Sequence, residues 1–428
     1  VVRTAQAVQA LETAVTVATS RTLVDSWRVI PPEEQALEMP WLNPLELMDA
    51  GQRSLSGQPL TSRQQLITPA AREQVEAAWE SFARAWIDRD AAAVNEAGPQ
   101  LASALRSLNP EAYPQQSRLA WESWYFHSHK MVWVWIVYAL SLVPLLLAIV
   151  FRWPAARWVG LALFMLAFGL HTFAVFLRWY ISERWPNSNM FEAVTTAAWF
   201  GGCGAIALEL LVRNTSMRNI FALGSGAASM VALMCAYFFP LHLNPNISNM
   251  MPVLHDVWLY IHTNVIIFSY CLIFMAAVSA FLYLLYRSVG PFLGIENLKA
   301  YARVGGAGSL MVAGPDGTTI ATSPKTTLGQ VLDGTTMVLM EMSFIFLWAG
   351  IVMGAIWADH SWGRPWGWDP KEVFSLNTFI VFAVLIHVRF KVRDKALWTA
   401  ILAVIGAGVM LFNWIVINFY ISGLHSYA

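Results

Sequence analysis

Cysteine and charge are both scarce in this sequence of 428 residues. Its three cysteines, Cys203, Cys235 and Cys271, lie singly inside apolar stretches without C-x-x-C spacing, which argues against a disulfide framework, a zinc site or thiol exchange. Only 13% of the residues are charged, roughly half the fraction usual in a soluble domain. Basic and acidic residues number 27 each, so the charge balance gives no reason to expect a nucleic-acid partner.

Long apolar runs are abundant instead, and 57% of the residues are hydrophobic. Crossing a hydrocarbon core takes about 20 helical residues, and eight stretches are long enough. They lie near residues 131–151, 157–180, 190–212, 219–239, 258–286, 335–357, 373–390 and 396–421. We therefore predict an all-α, polytopic membrane protein with about eight transmembrane helices.

The first part of the chain differs in composition. Residues 1–126 are polar, with apolar residues at helical spacing between 73 and 97, and predict a small, mostly helical N-terminal region before a transmembrane domain at 127–428. No signal peptide is visible, so the export of this region would need something upstream. The glycine-rich segment 305–333 predicts a cytoplasmic loop.

Basic residues fall mainly in alternate loops, which predicts the orientation of the chain because short basic loops stay in the cytoplasm. The residues concerned are Arg152, Arg157, Arg213, Arg218, Arg287, Lys299, Arg303, Lys325, Arg389, Lys391, Arg393 and Lys395. The N-terminal region and the C-terminus are then predicted to lie outside, in the periplasm of a Gram-negative bacterium.

One outer loop, at 357–372, is unusually rich in tryptophan. Its indoles are separated by glycines, which let backbone approach a flat ligand closely. The four tryptophans are Trp357, Trp362, Trp366 and Trp368. An ordinary interfacial aromatic belt is the plainer interpretation, but it explains neither the glycines nor the Trp-Asp-Pro-Lys-Glu ending.

Histidines near the membrane suggest what the loop binds. His262, near the outer end of the fifth helix, and His425, just beyond the eighth, are predicted at the depth of the tryptophan loop. Two neutral imidazoles over an aromatic floor suit a six-coordinate haem iron. His387 lies about 21 Å and His171 about 14 Å from the outer ends of their helices. A buried histidine bonded to a carbonyl is the plain alternative for both.

Arginines near the outer surface are candidate partners for haem propionates. Arg364 could form a two-pronged hydrogen bond with a propionate, as could Arg178 or Arg184. The alternative is pairing with lipid phosphate or with Asp359, Asp369 or Glu192. For Arg364 both interpretations stay open, and for the other two the alternative is favoured.

The pattern W-G-x-x-W-x-W-D resembles the WWD signature of the haem-handling superfamily. It is formed by Trp362, Gly363, Trp366, Trp368 and Asp369. The flanking motifs look like the CcsA or ResC family of System II cytochrome c assembly. They lie at 177–180, 188–192, 258–262, 387–389 and 423–427, and the resemblance covers roughly 115–428.

This resemblance implies a cytochrome c haem lyase, or holocytochrome c synthase, of the bacterial inner membrane. Haem b would bind at the periplasmic WWD loop and be presented to the C-x-x-C-H segment of an apocytochrome c for thioether attachment. A thiol-reducing system and a CcsB- or ResB-like membrane partner are implied, with passage of haem across the lipid bilayer. In that family the tryptophan loop binds haem, which implies that Trp362, Trp366, Trp368 and Asp369 are the catalytic residues here, by holding and orienting haem.

The resemblance also implies the ligands. His262 and His425 match the two outer haem ligands, and His387 matches an inner-site ligand whose counterpart comes from the partner. His171 is a weaker candidate for that counterpart from within the chain. The remaining predicted haem contacts are Gly363 and Arg364.

Three other functions share features with this sequence. The haem lyase subunit of System I shares the loop, but it is usually longer and has more helices. An electron-carrying cytochrome b places haem-ligating histidines in pairs on one helix, and no such pairing occurs here. A non-catalytic haem exporter or scaffold subunit is compatible with the sequence.

Overall fold

A computed structural model gives the structure of most of the chain. The residues it describes are 28–32, 41–61, 64–113, 115–213, 217–247, 256–294, 327–417, 420, 421 and 423. Contacts divide the chain into two units, with the division between Leu119 and Ala120. It falls inside the helix Gln116–His127, whereas the sequence predicts a boundary after residue 126, near the end of that helix.

The described residues of the N-terminal unit form three α-helices, α1 (Pro44–Ser56), α2 (Pro69–Ile87) and α3 (Ala91–Leu108). Side-chain caps begin two of them, because Thr68 accepts from the first turn of α2 and Asp90 from that of α3. A small core holds the unit together, formed by Ile30, Leu42, Leu47, Ile67, Val75, Ala104 and Leu108.

The second unit is built from long helices. They are α4 (Gln116–His127), α5 (Trp135–Phe151), α6 (Pro154–Ser182), α7 (Met190–Val212), α8 (Ile220–Phe238), α9 (Val257–Val289), α10 (Leu328–Trp362), α11 (Pro370–Lys391) and α12 (Lys395–Phe412). Within the described chain, α5 to α12 provide eight candidate membrane spans, which confirms the prediction of an all-α polytopic membrane protein. Lipid offers no partner for backbone N–H and C=O groups, so apolar segments of this length satisfy them internally as helices.

Helix α9 joins the two groups of membrane helices. Helices α5 to α8 pack on one another, and α9 contacts both α7 and α8 from that group. On its other side α9 packs along α10 and against α12, and α11 packs on α10 and α12. The shared core includes Tyr138, Phe164, Leu272, Leu347 and Phe382. The N-terminal ends of α9 and α11 and the C-terminal end of α10 are therefore brought together.

Helix α10 is longer than predicted at its N-terminal end. It begins at Leu328, so residues 328–333 are helical although the sequence predicts a loop over 305–333. Thr327 starts the helix through a capping box with Gln330. The part of the predicted loop before residue 327 lies outside the described residues.

Candidate functional site

The tryptophan loop is shorter in the structure than in the sequence prediction. Helix α10 continues through Trp362 and α11 begins at Pro370, so only residues 363–369 are non-helical. Gly363 ends α10 with a φ of 69° and donates its N–H to the carbonyl of Asp359 at 2.8 Å. A left-handed residue at this position favours glycine, which explains the glycine of the motif.

The Asp-Pro-Lys-Glu ending of the motif starts helix α11. Asp369 is its N-cap and accepts from the N–H of Lys371 at 3.2 Å. Glu372 completes the capping box and accepts from the N–H groups of Asp369 at 3.1 Å and Gly367 at 2.8 Å. Asp369 is 5% exposed, so its visible function is to fix the turn. The catalytic role implied for it by the resemblance stays a prediction.

The four tryptophans pack in two pairs. Trp357 and Trp362 meet edge to face with centroids 4.8 Å apart, and Trp366 and Trp368 with centroids 5.9 Å apart. Trp357 is buried, whereas Trp368 is 73% exposed and has a φ of 56°. The loop therefore presents one indole outward and keeps another inside the bundle.

His262 is held by a close approach of α9 to α10. Its Nδ1 donates to the carbonyl oxygen of Gly350 at 2.7 Å, which selects the tautomer with the lone pair on Nε2. A Cβ at Gly354 would lie 2.6 Å from the Cε1 atom of this ring, and a Cβ at Gly350 would lie 2.5 Å from Ile266. Gly354 therefore leaves the space that the ring occupies, and Gly350 leaves space for the Ile266 side chain one turn further along α9.

A cavity of about 270 Å³ opens beneath the loop, between α7, α9, α10, α11 and the turn after α12. His262, Trp357 and Trp366 line it. Other lining residues are Asn187, Ser188, Asn189, Met190, Ala193, Leu259, Thr263, Ile266, Ile267, Tyr270, Ile351, Gly354, Ala355, Pro365, Lys371, Glu372, Ser375, Asn413 and Trp414. The structure thus places one predicted histidine and one predicted tryptophan of the site around a common space.

The inner end of the cavity is formed by a π-helical turn at Asn413–Ile417. Asn413 donates from Nδ2 to the hydroxyl of Tyr270 at 2.8 Å, and Trp414 packs on the same tyrosine. Such turns insert one residue into a helix and occur often at functional sites. Here the turn directs an amide and an indole into the cavity.

The other five predicted loop residues do not line the cavity; they are Trp362, Gly363, Arg364, Trp368 and Asp369. Arg364 is exposed, and its guanidinium lies so close to Gly367 that a Cβ there would be 3.2 Å from it. Lys371, which the sequence prediction passed over, is the lysine of the cavity wall.

Arg178 and Arg184 bind a buried carboxylate instead of facing the cavity. Glu192 is 0% exposed and accepts from Nε of Arg178 at 2.9 Å and NH1 of Arg184 at 2.8 Å. The backbone N–H of Ser188 donates to the same carboxylate at 2.7 Å. The favoured alternative, pairing with Glu192, is what the structure has.

This buried cluster positions the cavity wall. The segment that follows Arg184 reaches α9, where Asn187 donates to the hydroxyl of Thr263 at 3.3 Å and Trp185 donates to Asn264 at 3.4 Å. Asn187 and Ser188 line the cavity. The charged cluster and these two hydrogen bonds fix one side of the site.

The other predicted histidines differ in their surroundings. His171 is 2% exposed, and its two nitrogens contact the Tyr138 hydroxyl at 3.3 Å and the Thr195 carbonyl at 3.1 Å. His387 is exposed, and its Nδ1 donates to its own helix at the Ala383 carbonyl, 2.6 Å away. Its Nε2 has no hydrogen-bonding partner among the described residues. His425 lies outside the described residues.

A recognisable sequence motif could have predicted the close packing of α9 on α10 that holds His262. Gly350 and Gly354 form a G-x-x-x-G pattern, which marks close packing between transmembrane helices. No comparable signal marks Lys371, Tyr270 or Asn413, because their place in the cavity depends on how separate helices are rotated.

Comparison with known proteins shows which family the chain belongs to. Residues 187–425, more than half of the chain, match the family described as cytochrome C assembly protein. The chain belongs to the cytochrome c assembly protein family. Every cavity-lining residue falls within the matched range, so the site is built from the part of the chain that defines the family.

Proteins with a similar sequence include two that are named cytochrome c biogenesis protein CcsA. That of Parasynechococcus marenigrum is 30% identical over 262 residues, which cover 60% of this chain and 83% of the relative. That of Thermosynechococcus vestitus is 29% identical over 300 residues, or 65% of this chain and 89% of the relative. These matches support a CcsA-type, multi-pass membrane protein.

A longer relative is NrfI of Wolinella succinogenes. It is 31% identical over 267 residues, which cover 61% of this chain. The matched part spans only 25% of NrfI. The similarity therefore concerns one section of that protein.

Proposed function

We propose that this protein binds haem b in the outer cavity and presents it for covalent attachment to the C-x-x-C-H segment of an apocytochrome c. The observation that supports this most directly is the convergence of His262, Trp366 and Lys371 on one cavity. An imidazole, an indole face and a cation are the groups that would meet the iron, the ring plane and a propionate of haem. Membership of the cytochrome c assembly protein family also supports haem as the substrate.

The groups that line this cavity fit haem. The hydrogen bond to Gly350 gives His262 the tautomer that coordinates iron through Nε2. The space left by Gly354 is filled by the imidazole. The second outer ligand in this proposal is His425. Trp362, Gly363 and Asp369 shape the loop, and Trp368 faces outward, where a substrate protein would arrive.

Haem serves as the substrate and brings its two vinyl groups to the reaction. Each apocytochrome thiol adds across one vinyl, so that a C–S bond forms and the thiol hydrogen moves to the neighbouring carbon, with no leaving group and no net oxidation. The thiols must arrive reduced, which implies a thiol-reducing system. In the described chain no cysteine lines the cavity, and Cys271 donates instead to the Ala197 carbonyl at 2.7 Å. The chain's contribution is to hold and orient haem.

His387 suits a second, inner site completed by another protein. Its exposure and its Nε2, which has no described partner, would let a histidine of a CcsB- or ResB-like partner share a haem there. Haem would then pass from the inner to the outer site. His171 fits this role poorly, because both of its nitrogens already have partners. We place the protein in the bacterial inner membrane with both termini in the periplasm.

Reconstitution tests the proposal. The purified chain and its CcsB-like partner, supplied with haem, an apocytochrome c and a thiol reductant, should form cytochrome whose haem resists acid–acetone extraction. The His425→Ala variant should not form it. Haem that binds to wild type but never becomes covalent would support an exporter or scaffold instead, and failure of wild type to bind haem would refute the proposal.

Substitutions of Lys371 test whether this lysine binds a propionate of haem. Replacing it by methionine should weaken haem binding by about ten- to a hundredfold, because a charge-assisted hydrogen bond contributes about 1.5–3 kcal/mol. Haem dimethyl ester, which lacks propionate charge, should bind wild type and Lys371→Met about equally. Lys371→Arg is the matched control and should keep the preference for free haem. An unchanged preference in Lys371→Met would exclude this lysine as the propionate partner.

A further inference from the structure

Helix α10 carries a continuous exposed stripe along its outward face. Glu341, Ile345, Trp348 and Val352 are spaced by four, three and four residues, which places them on one side of a helix. The last three are 60%, 57% and 42% exposed, and Glu341 is also exposed. A carboxylate therefore belongs to a surface that is otherwise apolar.

The register of α10 against α11 gives the depth of this carboxylate. Phe344 of α10 stacks on Phe379 of α11 with centroids 4.7 Å apart, and Asp333 of α10 binds Arg389 of α11, so the two helices run antiparallel. Glu341 is then level with residues close to 382, about 12 residues or 18 Å from the outer end of α11. That is near the middle of a hydrocarbon core about 30 Å thick.

Glu341 makes no hydrogen bond or ion pair with the described part of the chain. Arg389 attracts it electrostatically, but that guanidinium binds Asp333 through two hydrogen bonds of 2.6 and 2.7 Å and Thr399 through another of 2.6 Å. We therefore expect the Glu341 carboxylate to pair with a donor outside the described residues, because ionisable side chains at this depth are costly in lipid and pair with other polar groups.

Helix α11 repeats the pattern beside it. Its outward residues Asn377, Ile380, Val384 and His387 lie at helical spacing and are exposed. The side chain of Asn377 also has no hydrogen-bonding partner in the described chain. Polar groups on two neighbouring helices thus face away from the bundle.

We propose that a transmembrane helix of another protein covers the α10 stripe and presents a lysine or arginine to Glu341 at mid-bilayer depth. The charge of Glu341 determines the sign of its partner. Ile345, Trp348 and Val352 supply the apolar contact along the same face. This interface is independent of haem binding in the outer cavity.

The test uses the full chain in phosphatidylcholine vesicles with a labelled leucine–alanine peptide of about 23 residues, long enough to span. One peptide has a central lysine and its matched control has leucine there. Energy transfer to a dye on the chain measures association. Wild type should bind the lysine peptide roughly three- to thirtyfold more tightly than the leucine peptide, the range of polar contacts between membrane helices. Glu341→Leu should abolish this preference, and Glu341→Asp should keep it.

Two controls test whether the lysine must lie at the depth of Glu341 and whether the carboxylate must lie on α10. Moving the lysine about seven residues toward either end shifts it by about 10 Å and should remove the preference. The double variant Glu341→Leu with Ile405→Glu places a carboxylate on another outward face, since Ile405 of α12 is 51% exposed. It should not restore binding. Equal binding by Glu341→Leu, restoration by Ile405→Glu, or pairing of two copies of the chain through Glu341 would each overturn the proposal.

Discussion

The His262→Ala variant is expected to lose the haem of the outer cavity. The imidazole lines the cavity and is oriented by the 2.7 Å hydrogen bond to Gly350, so alanine removes a proposed iron ligand without filling the space. Haem content, measured as the pyridine haemochrome, should fall to the level of the inner site, and covalent cytochrome formation should cease. His262→Gly supplied with free imidazole should recover part of the bound haem, because the added ring can occupy the same volume.

Gly354→Ala tests the same site without removing the ligand. An added Cβ would lie 2.6 Å from the His262 ring, so the ring must move. Displacing groups that orient a ligand typically costs 10–100-fold in affinity, and we expect haem binding to weaken about that much. His360→Ala is the matched control, because this histidine lies in the last turn of α10 with its side chain 52% exposed and does not line the cavity. Normal haem content in both His262→Ala and Gly354→Ala would refute the proposed outer site.

The Glu192→Ala variant should show the largest loss of stability. Its carboxylate is 0% exposed and binds two arginines, of which Arg178 is 2% exposed. Removing one member of a buried ion pair leaves an uncompensated charge and costs about 3–5 kcal/mol. The unfolding free energy, measured by titration with sodium dodecyl sulfate, should fall by about that amount. Haem binding should weaken as well, since Asn187 and Ser188 would lose their fixed position in the cavity wall.

A double variant separates the ion pair from a general packing defect. Glu192→Met with Arg178→Met removes both buried charges, and it should recover part of the stability that Glu192→Ala loses. Glu96→Ala, at an exposed glutamate of α3, should change the unfolding free energy by less than about 0.5 kcal/mol. A Glu192→Ala protein as stable as wild type would show that the arginines find other partners.

Much of the architecture was predictable because the bilayer limits the choices. Apolar length predicts the eight spans, since a backbone in lipid must satisfy its own hydrogen bonds. The motif at 362–372 also contains readable local signals. A glycine ends α10, and Asp369, Pro370 and Glu372 form a helix start that could be recognised from spacing alone. The prediction nevertheless treated all of 357–372 as loop.

The contents of the cavity were harder to predict. Hydropathy gives the depth of a residue along its helix, and by depth alone His262, which lines the cavity, was selected as a candidate. It does not give the rotation of the helix, because the faces toward lipid and toward the protein are both apolar. Arg364 and Trp368 were therefore expected at the ligand although they lie outside the cavity wall, and Lys371 was missed. For the same reason the sequence did not predict that His387 is exposed, or that both nitrogens of His171 have partners.

By itself, then, the sequence determined the class of protein, the number and order of its membrane helices, the local turn chemistry of the tryptophan motif and the family. Packing alone decided which of its polar side chains share a space: the imidazole of His262 above the glycines of α10, the buried carboxylate of Glu192 between its arginines, and the outward-facing Glu341. The physical reason is that periodicity and capping act within a few residues of the chain, whereas these contacts depend on the relative rotation and register of helices far apart in sequence.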